Sequence, residues 1–126
     1  MILKPNANVT PVEDVSLEAL QKTVGGYIEC VALPPLAPDP REIVMVVNEE
    51  GKRMRLPMNP VATYIMMHVV GVLDMIVGPA AFVAADDEGA FHPLDEHERQ
   101  LVMELFVEGL NRTLFQMHFE DTAAGL

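Results

Sequence analysis

The period of the apolar positions changes at a glycine pair, Gly25-Gly26. Before the pair, the apolar residues of segment 17–24 recur at helical spacing, and Ser16 stands where a helix N-cap belongs. After the pair, residues 27–33 include several β-formers and predict a strand. Because glycine readily adopts the left-handed conformation that ends a helix, the pattern predicts a short helix that turns directly into a strand.

Short apolar runs predict further strands. Residues 1–4 and 9–12 predict a hairpin, and residues 43–47 predict a buried strand. A turn containing Gly51 follows, and residues 52–56 are predicted to return as the second arm of that hairpin. Ahead of the buried strand, four prolines predict a stiff loop without a helix, namely Pro34, Pro35, Pro38 and Pro40.

A second helix is predicted to begin at Asn59-Pro60, because asparagine is a good N-cap and proline is tolerated in the first turn. This helix extends to about His68 or Val70. Beyond it, residues 74–77 and 80–85 predict a strand that is interrupted by a glycine–proline pair.

The clearest element is a long helix near the C-terminal end. Asp95 and Glu98 have the spacing of a capping box, and helical periodicity continues to about His118. About 24 residues at 1.5 Å per residue span about 36 Å, which is longer than a domain of this size needs to cover its own sheet. We therefore predict an oligomer interface, a dimer above all, at its apolar residues Leu101, Met103, Leu105, Phe106, Val107, Leu110 and Leu114. The alternative, in which the helix packs across its own sheet, stays open.

These elements predict a single α+β domain with an antiparallel or mixed sheet of about five strands, two short helices and a long C-terminal helix. Residues 1–92 are predicted to form the body, and residues 93–119 the helix that packs on it or forms the oligomer interface. Residues 120–126 are predicted to be a flexible tail. A chain of 126 residues can bury one core without disulfides.

The net charge of −11 is unevenly distributed. Residues 1–85 contain nine acidic and six basic residues, a charge of −3, whereas residues 86–126 contain ten acidic and two basic residues, a charge of −8. Such a protein repels nucleic acid and anionic membranes, so neither is an expected partner. Apolar residues make up 50% of the chain, which favours a homo-oligomer; a methionine-rich core is the alternative. Acidic mimicry of nucleic acid is a further alternative.

Cys30 is the one cysteine of the chain, so no intramolecular disulfide can form, and we predict a buried, unreactive thiol on a strand. The first residues lack the basic segment and long apolar core of a signal peptide. The apolar stretch 61–85 is interrupted by His68, Asp74, two glycines and a proline, so it does not predict a membrane span. A cytoplasmic location is the expectation.

Three sequence blocks carry a family resemblance: LEALQKTVGGYIEC at 17–30, NEEGKRMRLPMNPVAT at 48–63 and DMIVGPAAFVAADDEG at 74–89. In order and spacing they resemble a family of small domains of unknown function found in bacteriophages, plasmids and actinobacterial genomes. The resemblance implies no established reaction. It implies an accessory role in a phage or other mobile element, such as counter-defence in the host cytoplasm. The long C-terminal helix looks like an extension beyond the shared domain.

A basic group of three residues, Lys52, Arg53 and Arg55, is the candidate anion site. On a strand Arg53 and Arg55 would share one face, and guanidinium groups bind phosphate or carboxylate through paired hydrogen bonds. Asn59 and Thr63, at the start of a helix, could complete a pocket for a nucleotide-type phosphate. The alternative is a solvated strand face and an asparagine that only caps its helix.

Catalysis has weaker support in the sequence. Ser16 is the only serine and is predicted to be a cap, which removes most serine-nucleophile mechanisms. The histidines lack metal-binding spacing and His68 is predicted to be packed, so neither a metal nor a cofactor is expected. Glu29 and Asp74 would form a carboxylate pair for acid–base chemistry if the fold brought them together.

Three functions remain as hypotheses. The first is a non-catalytic binding protein that sequesters a small anionic, nucleotide-type ligand at the basic residues. The second is an acidic protein that binds and blocks another protein through its C-terminal third, with Glu96, Glu98 and Glu104 among the contributing charges. The third is a small hydrolase that uses Glu29 and Asp74.

Overall fold

The computed structural model describes the backbone of residues 1–35 and 41–124 and the side chains of residues 1–35 and 41–114. Nine strands and helices follow one another, together with a π-helical segment (Met66–Val70): β1 (Ile2–Leu3), β2 (Val9–Thr10), α1 (Leu17–Val24), β3 (Ile28–Ala32), β4 (Glu42–Asn48), α2 (Pro60–Ile65), β5 (Ala80–Ala85), β6 (Phe91–His92) and α3 (Glu96–Ala124). Among the helices of these described residues, none has the length and apolar character needed to cross a membrane.

The strands in the described part of the chain form one antiparallel sheet. Its order is β2-β1-β5-β4-β3, and β6 also pairs with β5. β4 and β5 lie side by side near its centre, with Glu42 opposite Ala85 and Val46 opposite Ala81. With three helices around it, this sheet confirms the predicted single α+β domain. The sheet is antiparallel, and it has six strands where about five were predicted.

The sheet separates two apolar clusters. On one face, α1 buries Leu20 and Val24 against side chains of β4 and β5. On the other face, α2 and α3 pack on the sheet, and the rings of Phe82 and Phe106 meet edge to face with centroids 4.9 Å apart. Because both faces of β4 are covered, its apolar residues form a continuous run and do not alternate with polar ones.

The boundaries of α1 follow the predicted signals. Ser16 Oγ accepts a hydrogen bond from the backbone N–H of Ala19 at 3.2 Å, which caps the helix. Gly25 adopts a φ of 87°, in the left-handed region, and its N–H donates to Gln21 O. The chain therefore reverses directly into β3, as the sequence predicts.

Asn59 caps α2, as predicted, and its side chain is fully buried. Its Oδ1 accepts a hydrogen bond from Ala62 N at 3.2 Å, and its Nδ2 donates to Leu3 O and Gly78 O at 3.0 Å each. One side chain thus joins the start of α2 to β1 and to the segment before β5. The helix continues through the π-helical segment to Gly71, close to its predicted end.

The predicted capping box begins α3. Glu98 N donates to Asp95 Oδ1 at 2.7 Å, and Asp95 N donates to Glu98 Oε1 at 2.8 Å. The hydrogen bond from the Glu98 N–H is the main cause that holds the pKa of Asp95 below its ordinary value. The helix extends to Ala124, beyond the predicted end near His118. It includes residues 120–124 of the predicted tail, whereas residues 125–126 lie outside the described residues.

Residues 52–56 do not form the predicted strand. They fold into successive turns, with a hydrogen bond from Arg55 N to Lys52 O at 3.1 Å. Arg55 has a φ of 57°, which a strand does not allow. The reason lies at Gly51, where an added Cβ would stand 2.7 Å from Val77 Cγ2, so the turn packs closely on the segment before β5. The prediction of a hairpin arm whose two arginines share one face is therefore wrong.

Residues 74–77 were predicted as a strand, but they contribute only an isolated bridge between Met58 and Val77. The partner segment leaves this bridge at once, because Pro60 begins α2. A longer ladder has no room to form.

The predicted proline loop is described only at its start. Pro34 and Pro35 lie in an irregular segment that follows β3, which agrees with a loop that contains no helix. Pro38 and Pro40 lie outside the described residues.

Cys30 is exposed, so the prediction of a buried thiol is wrong. It lies on β3 at the edge of the sheet, and the apolar cluster beneath α1 does not include it. Partial burial, and then the Glu29 carboxylate, raise the pKa of the thiol. Both effects favour the protonated thiol over the thiolate.

Candidate functional site

The predicted basic group borders a hollow of about 320 Å³ at the turn that follows β4. Lys52 forms an ion pair with Asp74, which belongs to the loop before β5. Arg53 Nη1 lies 3.5 Å from Glu50 Oε1. We call this feature the β4-turn hollow; its lining residues are Glu29, Val47, Asn48, Glu49, Glu50, Gly51, Lys52, Arg53, Asp74, Met75, Ile76 and Val77.

Acidic residues outnumber basic residues in the β4-turn hollow. The two cations, Lys52 and Arg53, already have carboxylate partners. Against their two charges stand four carboxylates, which leaves a formal lining charge of −2; these are Glu29, Glu49, Glu50 and Asp74. Exposed ion pairs are individually weak, but a negative local potential disfavours an anionic ligand.

Three other predicted ligand residues, Arg55, Asn59 and Thr63, do not line the hollow. Thr63 Oγ1 donates to Asn59 O at 2.8 Å and accepts from Ile76 N at 2.9 Å. Asn59 uses its side chain for the cap and for two backbone carbonyls. Both side chains are therefore engaged in the core. Of the five predicted residues, the fold brings only Lys52 and Arg53 together in this hollow.

Asn48 organises the hollow, although the sequence indicated it only as part of a turn. Its side chain is buried, and its Nδ2 donates to Val24 O at 3.0 Å. Its Oδ1 accepts from Glu50 N at 2.8 Å. These bonds tie the end of α1 to the turn after β4. The signal in the sequence was an asparagine placed three residues before Gly51, a spacing that favours local side-chain-to-backbone bonds.

The fold brings Glu29 and Asp74 to the same hollow, as the acid–base hypothesis requires. Asp74 is paired with Lys52, and its side chain is 42% exposed. An exposed carboxylate with a lysine partner lacks the apolar surroundings that tune a general acid or base. The arrangement therefore favours a surface ion pair over a catalytic dyad.

The histidines whose side chains the structure describes, His68, His92 and His97, belong to no cluster of candidate metal ligands. His92 Nε2 lies 2.8 Å from Asp86 Oδ2, and this hydrogen bond is the main cause that lowers the pKa of Asp86. His68 was predicted to be packed, but it is exposed and its ring lies 4.7 Å from that of Tyr64. Within residues 1–35 and 41–114, no group of three or more candidate ligands could hold a metal ion.

An apolar row runs along the exposed side of α3. Met103, Val107, Leu110 and Leu114 follow one another at intervals of four, three and four residues, which is the spacing of a coiled-coil seam. Met103, Val107 and Leu114 are 39%, 52% and 53% exposed, and Leu110 is half-buried. We call this row the α3 seam.

The neighbouring side of α3 is packed against the core. Val102 and Phe106 are buried there. Gly109 lets α2 approach closely, because an added Cβ would stand 2.9 Å from Tyr64 Cδ1 and 3.1 Å from Val61 Cγ1. This close contact fixes the rotation of α3 about its axis and leaves Met103, Val107 and Leu114 exposed, whereas the half-buried Leu110 of the α3 seam packs against the core.

Polar contacts hold the start and the middle of α3 in place. Glu98 is 1% exposed and forms an ion pair with Arg41. Arg41 Nε donates to Glu98 Oε2 at 3.2 Å, and Arg41 Nη2 donates to Pro93 O at 3.2 Å. Tyr64 Oη donates to Glu108 Oε1 at 2.9 Å. The orientation of the α3 seam is thus set by both packing and charge.

A shallow groove of about 520 Å³ runs beside the α3 seam and is lined by Met103, Glu104, Val107, Glu108, Asn111 and Arg112. Its charged groups are two carboxylates and one guanidinium. On the other side, Ala7 and Val9 share a small cleft with Met103 and Val107. Val9 is itself 36% exposed. The apolar surface therefore extends from α3 onto the turn and strand of the first hairpin.

The α3 seam contains four of the seven predicted interface residues. Of the others, Phe106 belongs to the core and is only 4% exposed. Leu101 and Leu105 are half-buried, and Leu105 packs against the core. The helix therefore packs on its own body with one side, which is the alternative that the sequence left open. On another side it exposes Met103, Val107 and Leu114, while Leu110 between them also contacts the core.

A second exposed apolar group lies near the β4-turn hollow. We use the name methionine patch for five side chains of segment 54–75 that are between 46% and 86% exposed: Met54, Met58, Val72, Leu73 and Met75. Met75 also lines the hollow, and Leu73 is adjacent to the Asp74 that pairs with Lys52. The patch has no regular spacing that specifies the shape of a partner.

The sequence model of one family, described as Domain of unknown function (DUF3846), matches residues 1–107. The matched range runs from β1 into α3, past the boundary at residue 92 that the sequence predicts. No curated protein and no solved structure matches the chain. The match confirms the resemblance to a family of small domains of unknown function. Since it covers most of the chain, this protein belongs to the family described as Domain of unknown function (DUF3846).

Proposed function

We propose that the protein is a non-catalytic interaction module and that the α3 seam binds a basic amphipathic helix of another protein. The observation that supports this proposal is the apolar row at coiled-coil spacing on α3, in which three side chains are exposed and the fourth, Leu110, is half-buried. Large apolar side chains that cluster on a surface mark binding sites, since water contact with them is unfavourable.

The spacing of the α3 seam supports a helical partner. Intervals of four and three residues keep side chains on one line along a helix, and a second helix with the same repeat can insert its own side chains between them. Residues 103–114 cover about three turns, which is the length that an amphipathic helix of a partner typically engages. An extended strand has a period of two and does not match this row.

The charge of the region supports a basic partner. Residues 86–126 carry a net charge of −8, and Glu104 and Glu108 border the groove beside the α3 seam. A lysine- or arginine-rich helix gains favourable long-range attraction there, mostly in its association rate. A second acidic copy of the chain is repelled by the same field, which disfavours pairing of two α3 seams.

The other hypotheses have less support from the geometry. A small anionic ligand in the β4-turn hollow meets a lining charge of −2, and a hydrolase lacks a carboxylate in apolar surroundings there. A role in a phage or mobile element, counter-defence and a cytoplasmic location stay predictions from the sequence.

A designed peptide tests the proposal. The probe is a fluorescent helix of about three heptads with leucine at a and d and lysine at the outer positions. Controls are the scrambled sequence and the same helix with glutamate in place of lysine. We expect the lysine helix to bind, measured by fluorescence anisotropy, and its affinity to fall when salt shortens the Debye length below about 10 Å.

Matched variants locate the binding surface. Val107→Asp and Leu114→Asp place a charge in the α3 seam and should each weaken binding about tenfold or more. Leu73→Asp is the control, because Leu73 is 86% exposed and lies in the methionine patch. Equal binding by wild type and Val107→Asp, or equal binding of the scrambled helix, contradicts the proposal.

A further inference from the structure

We infer that two copies of this chain pair through their β3 edges, antiparallel and about a two-fold axis at Cys30, to form one continuous sheet. The inference rests on the backbone of β3 and is independent of the proposed role of the α3 seam. β3 lies at the end of the strand order, so one of its sides has no neighbour within the described residues.

The hydrogen bonds to β4 identify which backbone groups point outward. Leu33 N donates to Ile43 O at 2.9 Å, and Glu49 N donates to Tyr27 O at 2.9 Å. In an antiparallel pair, alternate residues exchange hydrogen bonds with the neighbour, so residues 27, 29, 31 and 33 face β4. The N–H and C=O groups of Ile28, Cys30 and Ala32 therefore point to the open side.

Within Ile28–Ala32 the strand lacks several features that usually prevent strand pairing. Proteins protect such edges with lysine, proline, bulges or an inward-facing charge. β3 is regular over Ile28–Ala32, contains no proline or lysine, and pairs with β4 without a bulge. Its single charged residue, Glu29, projects from the face opposite to Cys30. Cys30 and Ala32 are small, uncharged and exposed beside the open edge.

The strand is complementary to a second copy of itself. With Cys30 opposite the partner's Cys30, Ile28 stands opposite the partner's Ala32. Three outward residues on each of two strands supply three donors each, which gives six backbone hydrogen bonds. Glu29 stands opposite the partner's Val31, so no two carboxylates are directly opposite.

The distribution of charge is compatible with this pairing. Residues 86–126 carry most of the net charge, and α3 packs on the face of the sheet that Cys30 does not share. Cys30 projects toward the side of α1, since it stands opposite Val46, which belongs to the cluster under α1. The acidic helices of two copies therefore do not lie between the paired edges.

Cys30 makes the arrangement measurable. In an antiparallel hydrogen-bonded pair the opposed Cα atoms are about 5.5 Å apart, within the range that a disulfide spans. We expect analytical ultracentrifugation to show a dimer, and mild oxidation with copper phenanthroline to convert it to a covalent dimer at a rate that does not depend on protein concentration. Random collisions would give a rate that rises with concentration.

A proline at an outward position separates edge pairing from other modes of association. Ala32→Pro removes an outward N–H without removing a bond to β4, and should give a folded monomer that does not cross-link. Ala32→Thr keeps the N–H and should remain a dimer. Circular dichroism shows whether each variant is folded. If Ala32→Pro is unfolded, Cys30→Asp replaces it, because two carboxylates would then stand opposite each other and should also give a folded monomer.

Three results overturn the inference. The wild type could be a monomer at all concentrations, the folded Ala32→Pro variant could remain a dimer, or Val107→Asp could abolish the dimer. The last result would assign the contact to the α3 seam.

Discussion

Glu98 gives a sharp test of how α3 is fixed on the body. Its carboxylate is 1% exposed, accepts a hydrogen bond from Asp95 N at 2.8 Å, and forms an ion pair with Arg41. We predict that Glu98→Ala lowers the free energy of unfolding by about 3 to 4 kcal/mol. About 1 kcal/mol of this is the loss of the capping box, and about 2 to 3 kcal/mol is the loss of charge-assisted hydrogen bonds to Arg41.

A matched pair of variants divides these contributions. Glu98→Gln keeps an oxygen for Asp95 N but loses the charge, so it should cost about 1 to 2 kcal/mol. The side chain of Arg41 is 27% exposed and can regain water, which keeps this cost below that of a fully buried pair. Glu96→Ala is the control, because Glu96 is exposed in the same first turn and should cost no more than about 0.5 kcal/mol.

Urea denaturation followed by circular dichroism measures all three variants against wild type. The expected order of stability is wild type, Glu96→Ala, Glu98→Gln and Glu98→Ala. The reasoning fails if Glu98→Ala is no less stable than Glu96→Ala. It also fails if Glu98→Gln is as unstable as Glu98→Ala, because the capping box would then contribute nothing.

Three further predictions concern the core and the first strand. Asn59→Ala should lower the free energy of unfolding by about 3 kcal/mol, because three buried hydrogen bonds are lost. A loss under about 1 kcal/mol in urea titration would contradict the role of Asn59 in joining α2 to β1 and to the segment before β5. Alanine has a higher helix propensity than glycine, but Gly109→Ala should still lower the melting temperature, because the new Cβ would stand 2.9 Å from a Tyr64 ring atom. An unchanged or higher melting temperature argues against this close contact. Burial, and then Arg99, lower the pKa of the Met1 amine from 8.0 to about 6. Between pH 6 and pH 8 the unfolded chain therefore binds more protons than the folded protein, so the free energy of unfolding should rise with pH over this range. Acetylation of the amine should remove this contribution to the pH dependence of stability. An unchanged pH dependence after acetylation would refute the prediction.

The helices were predictable because their signals are local. Ser16, Gly25, Asn59 and the Asp95–Glu98 capping box each act within one helical turn, and each forms the bonds that its sequence position implies. The apolar run of β4 likewise indicated a strand covered on both faces. The order of the strands had no local signal, since it depends on contacts between distant segments.

The failures of prediction have a common physical cause. Segment 52–56 has residues that a strand tolerates, but the close approach of Gly51 to Val77 makes it a turn. Cys30 has an apolar neighbourhood in sequence, yet its place at an edge exposes it. Both outcomes depend on which segments become neighbours in three dimensions.

For the candidate sites as well, features within one helix were predictable from the sequence, whereas features that depend on distant segments were not. The sequence named Met103, Val107, Leu110 and Leu114 among seven candidate interface residues of one helix, but it did not separate these four as one row. It did not show that Phe106 faces the core, because that depends on the rotation fixed by Gly109. The composition of the β4-turn hollow, with its excess of carboxylates, required the fold.

Methionine methyl groups report most directly on whether the α3 seam is the binding surface that we propose. An NMR titration of methyl-labelled protein with the lysine-rich helix should shift the methyl resonance of Met103 and leave those of Met54, Met58 and Met75 in place. Shifts confined to the three methyl groups of the methionine patch, with Met103 unchanged, would contradict the account.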